Sequence, residues 1–202
     1  MPNCPGKPSR SCLRPTTLGF HWYETWTGAG MNFENLSRVH EAFPDKALIF
    51  TEGCIEKFNR NQLNAGWLGE RYGMSMIHDF NRGTVAWTDW NILLDEKGGT
   101  NHVGNFCFAP VHADTQSGKL IYTSSYYYLG HFFKFIRPGA LRVSSAASRD
   151  TLLTTAFRNP DGKLAVVVMN PSDNRQAFRL QVGDKAAESS SQPHSITTFV
   201  VE

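Results

Sequence analysis

Glu52 is the side chain in this sequence whose surroundings best suit covalent chemistry. It directly follows the short apolar run Ala47-Leu-Ile-Phe50 and Thr51, and it precedes Gly53. In sheets built from parallel strands, catalytic groups collect at the C-terminal strand ends. A carboxylate nucleophile must be held rigidly beside the carbon it attacks, and a strand end supplies that rigidity. On spacing alone the assignment stays open, because a Glu in this place is more often a solvated residue at a strand-to-loop turn.

Two further strand ends carry polar and aromatic groups. Leu18-Gly-Phe-His-Trp-Tyr23 reads as a strand, and neighbours on a strand point to opposite faces. His21 and Tyr23 then share a face, with Trp22 packed behind them. His and Tyr in such a place can hydrogen-bond hydroxyl-rich ligands or orient a carboxylate, or they can simply belong to an aromatic core. Trp87-Thr-Asp-Trp-Asn91 ends a third strand, and strict alternation sets Trp90 against Trp87, Asp89 and Asn91. Just beyond, Gly98-Gly99 and Asn101 to Asn105 form a polar, flexible loop of the kind that often touches ligands.

The elements that must position these groups alternate. Strands at Leu18–Tyr23, Ala47–Phe50 and from Thr84 to Trp87 are separated by two helical patterns. Phe33, Leu36, Val39 and Phe43 mark one helix face, stopped by Pro44. Leu63, Trp67, Met74 and Ile77 mark another, interrupted by Glu70. A third helix is expected from Ser124 to Ile136, closed by Pro138-Gly139. Strand, helix, strand, helix, strand, loop, helix predicts parallel βα units. Three strands cannot close an eight-stranded barrel.

After Gly139 the texture becomes all-β. Leu141–Val143, Leu152–Phe157, Leu164–Met169, Phe178–Val182 and Ile196–Val201 read as five short strands. Asn159-Pro-Asp-Gly162 is a turn signal between two of them, and Glu188 to Pro193 reads as a Ser-rich loop. The expected fold class is α/β plus all-β. Residues 1–15 form an irregular tail, 16–139 the C-terminal part of a (β/α)8 barrel, and 140–202 a small β-sandwich.

Composition removes several function classes. The 202 residues carry a formal net charge of +2, from 20 basic and 18 acidic side chains, which is not the basic excess of a nucleic-acid binder. No run approaches the length of a transmembrane helix. Met1 to Pro15 has cations and prolines but no apolar central stretch, so it is not a secretory signal. Cys4, Cys12, Cys54 and Cys107 match no zinc or dense disulfide pattern, and Cys54 and Cys107 are expected to be reduced and buried. The histidines lack metal-ligand spacing, and there is no Gly-x-Ser-x-Gly elbow or P-loop. Gly28-Ala-Gly30 is not a dinucleotide fingerprint. Asn35-Leu36-Ser37 is a formal glycosylation sequon.

Taken in order, His21-Trp-Tyr23, Thr51-Glu-Gly-Cys54, Gly83-Thr-Val-Ala-Trp-Thr-Asp-Trp-Asn91, Gly98-Gly99, Asn105-Phe106 and Tyr128-Leu-Gly-His-Phe132 resemble glucosylceramidases of glycoside hydrolase family 30. The resemblance runs from about Thr16 to the C-terminus. It implies a retaining β-glycosidase with Glu52 as nucleophile, in a motif that reads Ser-Glu-Ala-Cys in the family. It also implies His21, Tyr23, Cys54, Trp90 and Asn105 in the sugar site, no metal and no cofactor. The implied substrate is a β-glucoside such as glucosylceramide; a related β-1,6-glucanase or β-xylosidase, or a non-catalytic sugar-binding remnant, are the alternatives. The implied compartment is secreted or lysosomal in type. The family's general acid/base lies in an Asn-Glu-Pro type motif on an earlier strand, and no Asn-Glu-Pro occurs here. The chain is therefore expected to be the back end of a longer enzyme, inactive alone without the missing N-terminal half of the barrel.

Overall fold

The computed structural model describes residues 16–101 and 103–202; the expected tail, 1–15, lies outside them. In chain order the first half forms β1 (Thr17–His21), α1 (Glu34–Ala42), β2 (Ala47–Glu52), β3 (Ile55–Glu56), α2 (Gly66–Asn81) and β4 (Thr84–Trp87). The three apolar runs pair as a parallel sheet in the order β1-β2-β4. This is the βα alternation of a barrel wall, and three strands leave it open. β1 is shorter than expected. The chain leaves it at His21 and coils into a 3-10 turn over Tyr23–Thr27, ended by Gly28 at φ +78°.

The two helices depart from the expected apolar stripes in different ways. α1 has the predicted length, yet none of its residues is buried and Phe43 at its end is 51% exposed. α2 runs straight through Glu70, and Trp67 faces out at 45% exposure. Its buried face keeps Ile77 of the expected stripe and adds Leu68, Gly69, Tyr72, Gly73 and Met76. Two glycines on that face hid part of it from a hydrophobic count. They are there because α3 (Ser124–Phe133) crosses at this point: a Cβ on Gly69 would meet the Tyr128 ring at 2.3 Å and the Ser124 carbonyl oxygen at 2.8 Å.

The stretch between β4 and α3, expected as loop, holds β5 (Leu93–Asp95), β6 (Cys107–Phe108), β7 (Val111–Asp114) and β8 (Lys119–Tyr122). β5, β7 and β8 form one small sheet, and β6 pairs with β3. Strands of two to four residues are too short to show a period.

The second half contains β9 (Leu141–Val143), β10 (Leu153–Arg158), β11 (Leu164–Asn170), β12 (Gln176–Val182), β13 (Lys185–Ser191) and β14 (Ser195–Val201). The sheet order is β14-β11-β10-β9, antiparallel, faced by the β12-β13 hairpin. β13 corrects the reading of 188–193 as a Ser-rich loop. Its ladder with β12 comes from the hairpin turn at Gly183 (φ +59°); Lys185 to Glu188 are exposed, while Ser189 and Ser190 are half-buried and Ser191 is buried. The Asn159–Gly162 turn forms as expected, with Gly162 at φ +86° and its N–H bonded to the Asn159 carbonyl at 2.9 Å. Asn159 also fastens the turn to the chain after α3, donating to the Phe135 carbonyl (2.8 Å) and accepting from the Arg137 N–H (2.9 Å).

One core joins the halves. Trp22, Phe50, Tyr72, Met76, Trp87, Tyr128 and Phe132 pack together with Val167 and Met169 of β11. The alternate residues of β11, Val166 and Val168, meet Phe178 and Leu180 of the hairpin. Among the described residues no helix is long and apolar enough to cross a membrane.

Candidate active site

The site assembles where β2 ends. β1 and β2 stay in step from Thr17↔Ala47 to Phe20↔Phe50, then slip by one residue so that His21 lies opposite Glu52. A slip of this kind re-aims the side chains that follow it. The Tyr23 hydroxyl lies 3.2 Å from Glu52 Oε1 and 3.6 Å from Cys54 Sγ, a single donor shared between two acceptors. Burial first, and then the Cys54 and Glu52 groups, push the Tyr23 phenol well above its ordinary range. It therefore stays protonated and remains a donor. The His21 ring stands edge-on to Tyr23 at 5.7 Å and is exposed.

Trp22 turns the other way, into the core. Its indole N–H donates to the Cys54 carbonyl at 3.2 Å, and the Arg71 guanidinium lies 4.4 Å over its ring. Gly53 is confined by the same packing: a Cβ there would meet the Phe50 ring at 2.6 Å and the Trp22 ring at 2.8 Å.

Beyond β4 the backbone remains laced to β2. The Thr88 N–H donates to the Phe50 carbonyl at 2.9 Å and the Trp90 N–H to the Gly53 carbonyl at 3.1 Å. The Trp90 side chain is 37% exposed. Trp87 and Asp89 are held inward. The Trp87 indole donates to Asp79 at 3.0 Å, and the Tyr72 hydroxyl donates to Asp89 at 3.1 Å. Burial raises both carboxyls to about 7, against the opposing pull of those donors.

Asn105 is one step removed from Glu52. Its side-chain amide donates to Glu56 Oε1 at 2.5 Å, while the Trp26 indole donates to Glu56 Oε2 at 2.7 Å. Trp26 in turn stacks on Tyr23 at 4.5 Å. Glu56 is thus a hub that the sequence reading left without a role, although it lies only four residues beyond Glu52. Cys107, expected only as a buried thiol, is buried. Its sulfur sits 3.3 Å from that of Cys54, and neither is in a disulfide. A cleft of about 620 Å³ opens here, lined by Tyr23, Trp26, Cys54, Glu56, Trp67 and Arg71 among others.

A model described as the glycosyl hydrolase family 30 TIM-barrel domain matches residues 15–136, and one for the family 30 beta sandwich domain matches 139–199. The chain belongs to glycosyl hydrolase family 30. Its curated relatives include the lysosomal acid glucosylceramidase of Mus musculus, 34% identical over 188 residues, which are 91% of this chain but 36% of the relative. Putative glucosylceramidase 4 of Caenorhabditis elegans is 28% identical with the same coverage. Among solved structures, SrfJ from Salmonella typhimurium matches with a TM-score of 0.83 at 34% identity, over 92% of this chain and 40% of that one. An endo-β1,6-glucanase matches with a TM-score of 0.77 at 25% identity and the same coverage. The family 30 chain therefore spans between a third and a half of the length of these relatives. Its architecture is part of a family 30 barrel wall followed by the family's β-sandwich.

Proposed function

We propose that these residues contribute the nucleophile side of a retaining β-glycosidase, with Glu52 attacking the anomeric carbon. The observation that carries this reading is the Tyr23 hydroxyl bonded to Glu52 Oε1 at a parallel strand end of a family 30 chain. In such a mechanism the carboxylate forms a covalent glycosyl-enzyme, and water then releases the sugar with its configuration retained. Tyr23 holds one carboxylate oxygen, so the other is available for attack. His21, Trp90, Cys54 and Asn105 border the sugar, Asn105 through Glu56. Trp90 offers an exposed ring for the apolar face of a pyranose.

The proton for the leaving oxygen must come from a second carboxyl about 5 Å from the first. Glu56 suits that role poorly, since both its oxygens already accept N–H donors. Asp89 is held by Tyr72. We propose that the acid lies on another barrel strand, outside the described residues, and that these residues alone do not turn over substrate. The relatives favour a β-glucoside, with a glucosylceramide-like lipid as the first candidate. Likeness to an endo-β1,6-glucanase favours a β-1,6-glucan as the second.

The test joins these residues to a complete barrel and assays an aryl β-glucoside, glucosylceramide and a β-1,6-glucan. Glu52→Gln should lower turnover on the order of 10⁴-fold or more, as removal of a nucleophile does elsewhere. Activity within tenfold of the parent would overturn the assignment. Trp90→Ala should weaken transition-state binding by about 1 kcal/mol, the size of an aromatic contact. Unchanged KM and kcat would remove Trp90 from the sugar site.

A further inference from the structure

The sulfurs of Cys54 and Cys107 lie 3.3 Å apart, and the reaction above uses no contact between them. Cys54 leads into β3 and Cys107 opens β6, two strands paired antiparallel with Ile55↔Phe108 and Glu56↔Cys107 in register. Continuing that register sets Cys54 opposite Ala109, so the two-residue period brings Cys54 and Cys107 to one face of the ladder. Leu94 and Ala109 pack around them as a small buried cluster. The pair is asymmetric in access. Cys54 forms part of the cleft wall, whereas Cys107 is 0% exposed and does not line it.

We propose that Cys54 and Cys107 are a redox-reversible dithiol, oxidised to a disulfide by a small disulfide that enters through the cleft. It reacts in two steps. The Cys54 thiolate attacks one sulfur of glutathione disulfide, whose S–S bond breaks and releases a first glutathione thiolate. Cys107, giving its proton to solvent, then attacks Cys54 Sγ and expels the second glutathione. Two protein thiols become one disulfide, and glutathione disulfide is reduced to two thiols. The sulfurs must close from 3.3 Å to about 2.0 Å for the bond to form. The Cys107 hydrogen bond, and then Tyr23, hold the Cys54 thiol below its ordinary range against burial, while the bond to Cys54 and burial push Cys107 up. Cys54 is accordingly the attacking thiol and Cys107 the resolving one. Closure would draw Cys54 Sγ toward Cys107 and leave Glu52 as the main acceptor for the Tyr23 hydroxyl.

This pairing stands whether or not Glu52 is a nucleophile, because its readout is sulfur chemistry. The full chain, carrying Cys4→Ser and Cys12→Ser, is reduced, freed of reductant and treated with glutathione disulfide. Intact mass should fall by two hydrogen atoms, a digest should link the Cys54 and Cys107 peptides, and dithiothreitol should restore both thiols. The Cys107→Ala variant should instead accumulate a glutathione adduct on Cys54. If that variant does not fold, rapid alkylation quenching of the parent supplies the same reading, with a transient adduct on Cys54 and none on Cys107. A lasting Cys54 adduct in the parent, an adduct formed first on Cys107, or two thiols that stay unreacted would each overturn the proposal.

Discussion

β2 and β11 are both interior strands of their sheets, and both are rich in apolar residues, yet they are buried differently. On β11 every residue after Leu164 is buried. Val167 and Met169 face α2 and α3, while Val166 and Val168 face the β12-β13 hairpin. On β2 only Leu48 and Phe50 are fully buried, and the neighbouring β4 leaves Val85 64% exposed. Parallel sheets are normally covered on both faces. The difference teaches that the sandwich sheet has its two coats, whereas the sheet that carries the candidate site has one. The open face of β1-β2-β4 is the surface that a closed barrel would fill, and among the described residues no strand pairs with the outer edges of β1 and β4; such edges are where further strands can pair.

The strongest test of this contrast is to cut the element the two regions share. Phe50→Ala removes a fully buried ring from the joint core and should cost about 3–5 kcal/mol. Because Val167 and Met169 belong to the same cluster, hydrogen-exchange protection should fall together on β2 and β11. Retained protection on β11 alone would show that the sandwich stands independently.

Gly69→Ala tests the crossing of α2 and α3. Alanine gains about 0.5–1 kcal/mol of helix propensity over glycine. Its Cβ, however, would lie 2.8 Å from the Ser124 carbonyl oxygen, backbone that cannot swing away. Overpacking of this kind costs about 1–3 kcal/mol, so denaturant melts should show net destabilisation. Equal or greater stability would mean that the helices separate easily.

Acid titration separates the regions by charge. Asp79, at 2% exposure beneath the barrel-wall strands, is raised by burial from 3.8 to about 7. The unfolded chain loses that proton above about pH 4 while the folded chain keeps it to about pH 7. Stability should therefore fall as pH rises through this window, by about 1 kcal/mol per pH unit from this group. Asp89 acts in the same direction. Asp79→Asn should flatten the slope in urea melts between pH 4 and 7; an unchanged slope would assign it elsewhere.

The smallest effect is expected on the surface between the regions. His194 of the sandwich half bonds Glu70 of α2 at 2.7 Å and Asp173 at 2.8 Å, and first Asp173, then Glu70, raise its pKa. Its contribution is complete below the ordinary histidine range and is lost as pH rises through the raised value. His194→Ala should lower Tm slightly at pH 6 and leave it unchanged at pH 9. An equal loss at both pH values would indicate packing rather than charge.

Much of the site was legible because its residues sit where long-range order is simple. Glu52 follows a buried run and ends a strand; Trp22 does turn inward from His21 and Tyr23 as alternation predicts, but β1 stops at His21 and the 3-10 turn, not the strand, sets the place of Tyr23. Glu56 and Cys107 were not legible as partners. They meet through β3 and β6, strands of two residues each, and no sequence period of that length exists to reveal them. The buried face of α2 was legible only in part: Ile77 is buried and Met74 packs against the core, but the close contact is made by glycines, which a hydrophobic pattern does not count, and Trp67 faces out.

By itself the sequence determined the order of the three parallel strands and the helices between and after them, the change from βα units to all-β near Gly139, the Asn159–Gly162 turn and the Glu at the end of β2. Each depends on local propensity or on a period contained in one segment. Only the tertiary structure decided that Tyr23 shares its hydroxyl between Glu52 and Cys54, that Glu56 joins Asn105 to Trp26, and that two cysteines 53 positions apart bring their sulfurs to 3.3 Å. Those contacts join segments distant in the chain, and their geometry depends on strand register and helix approach, which no local pattern encodes.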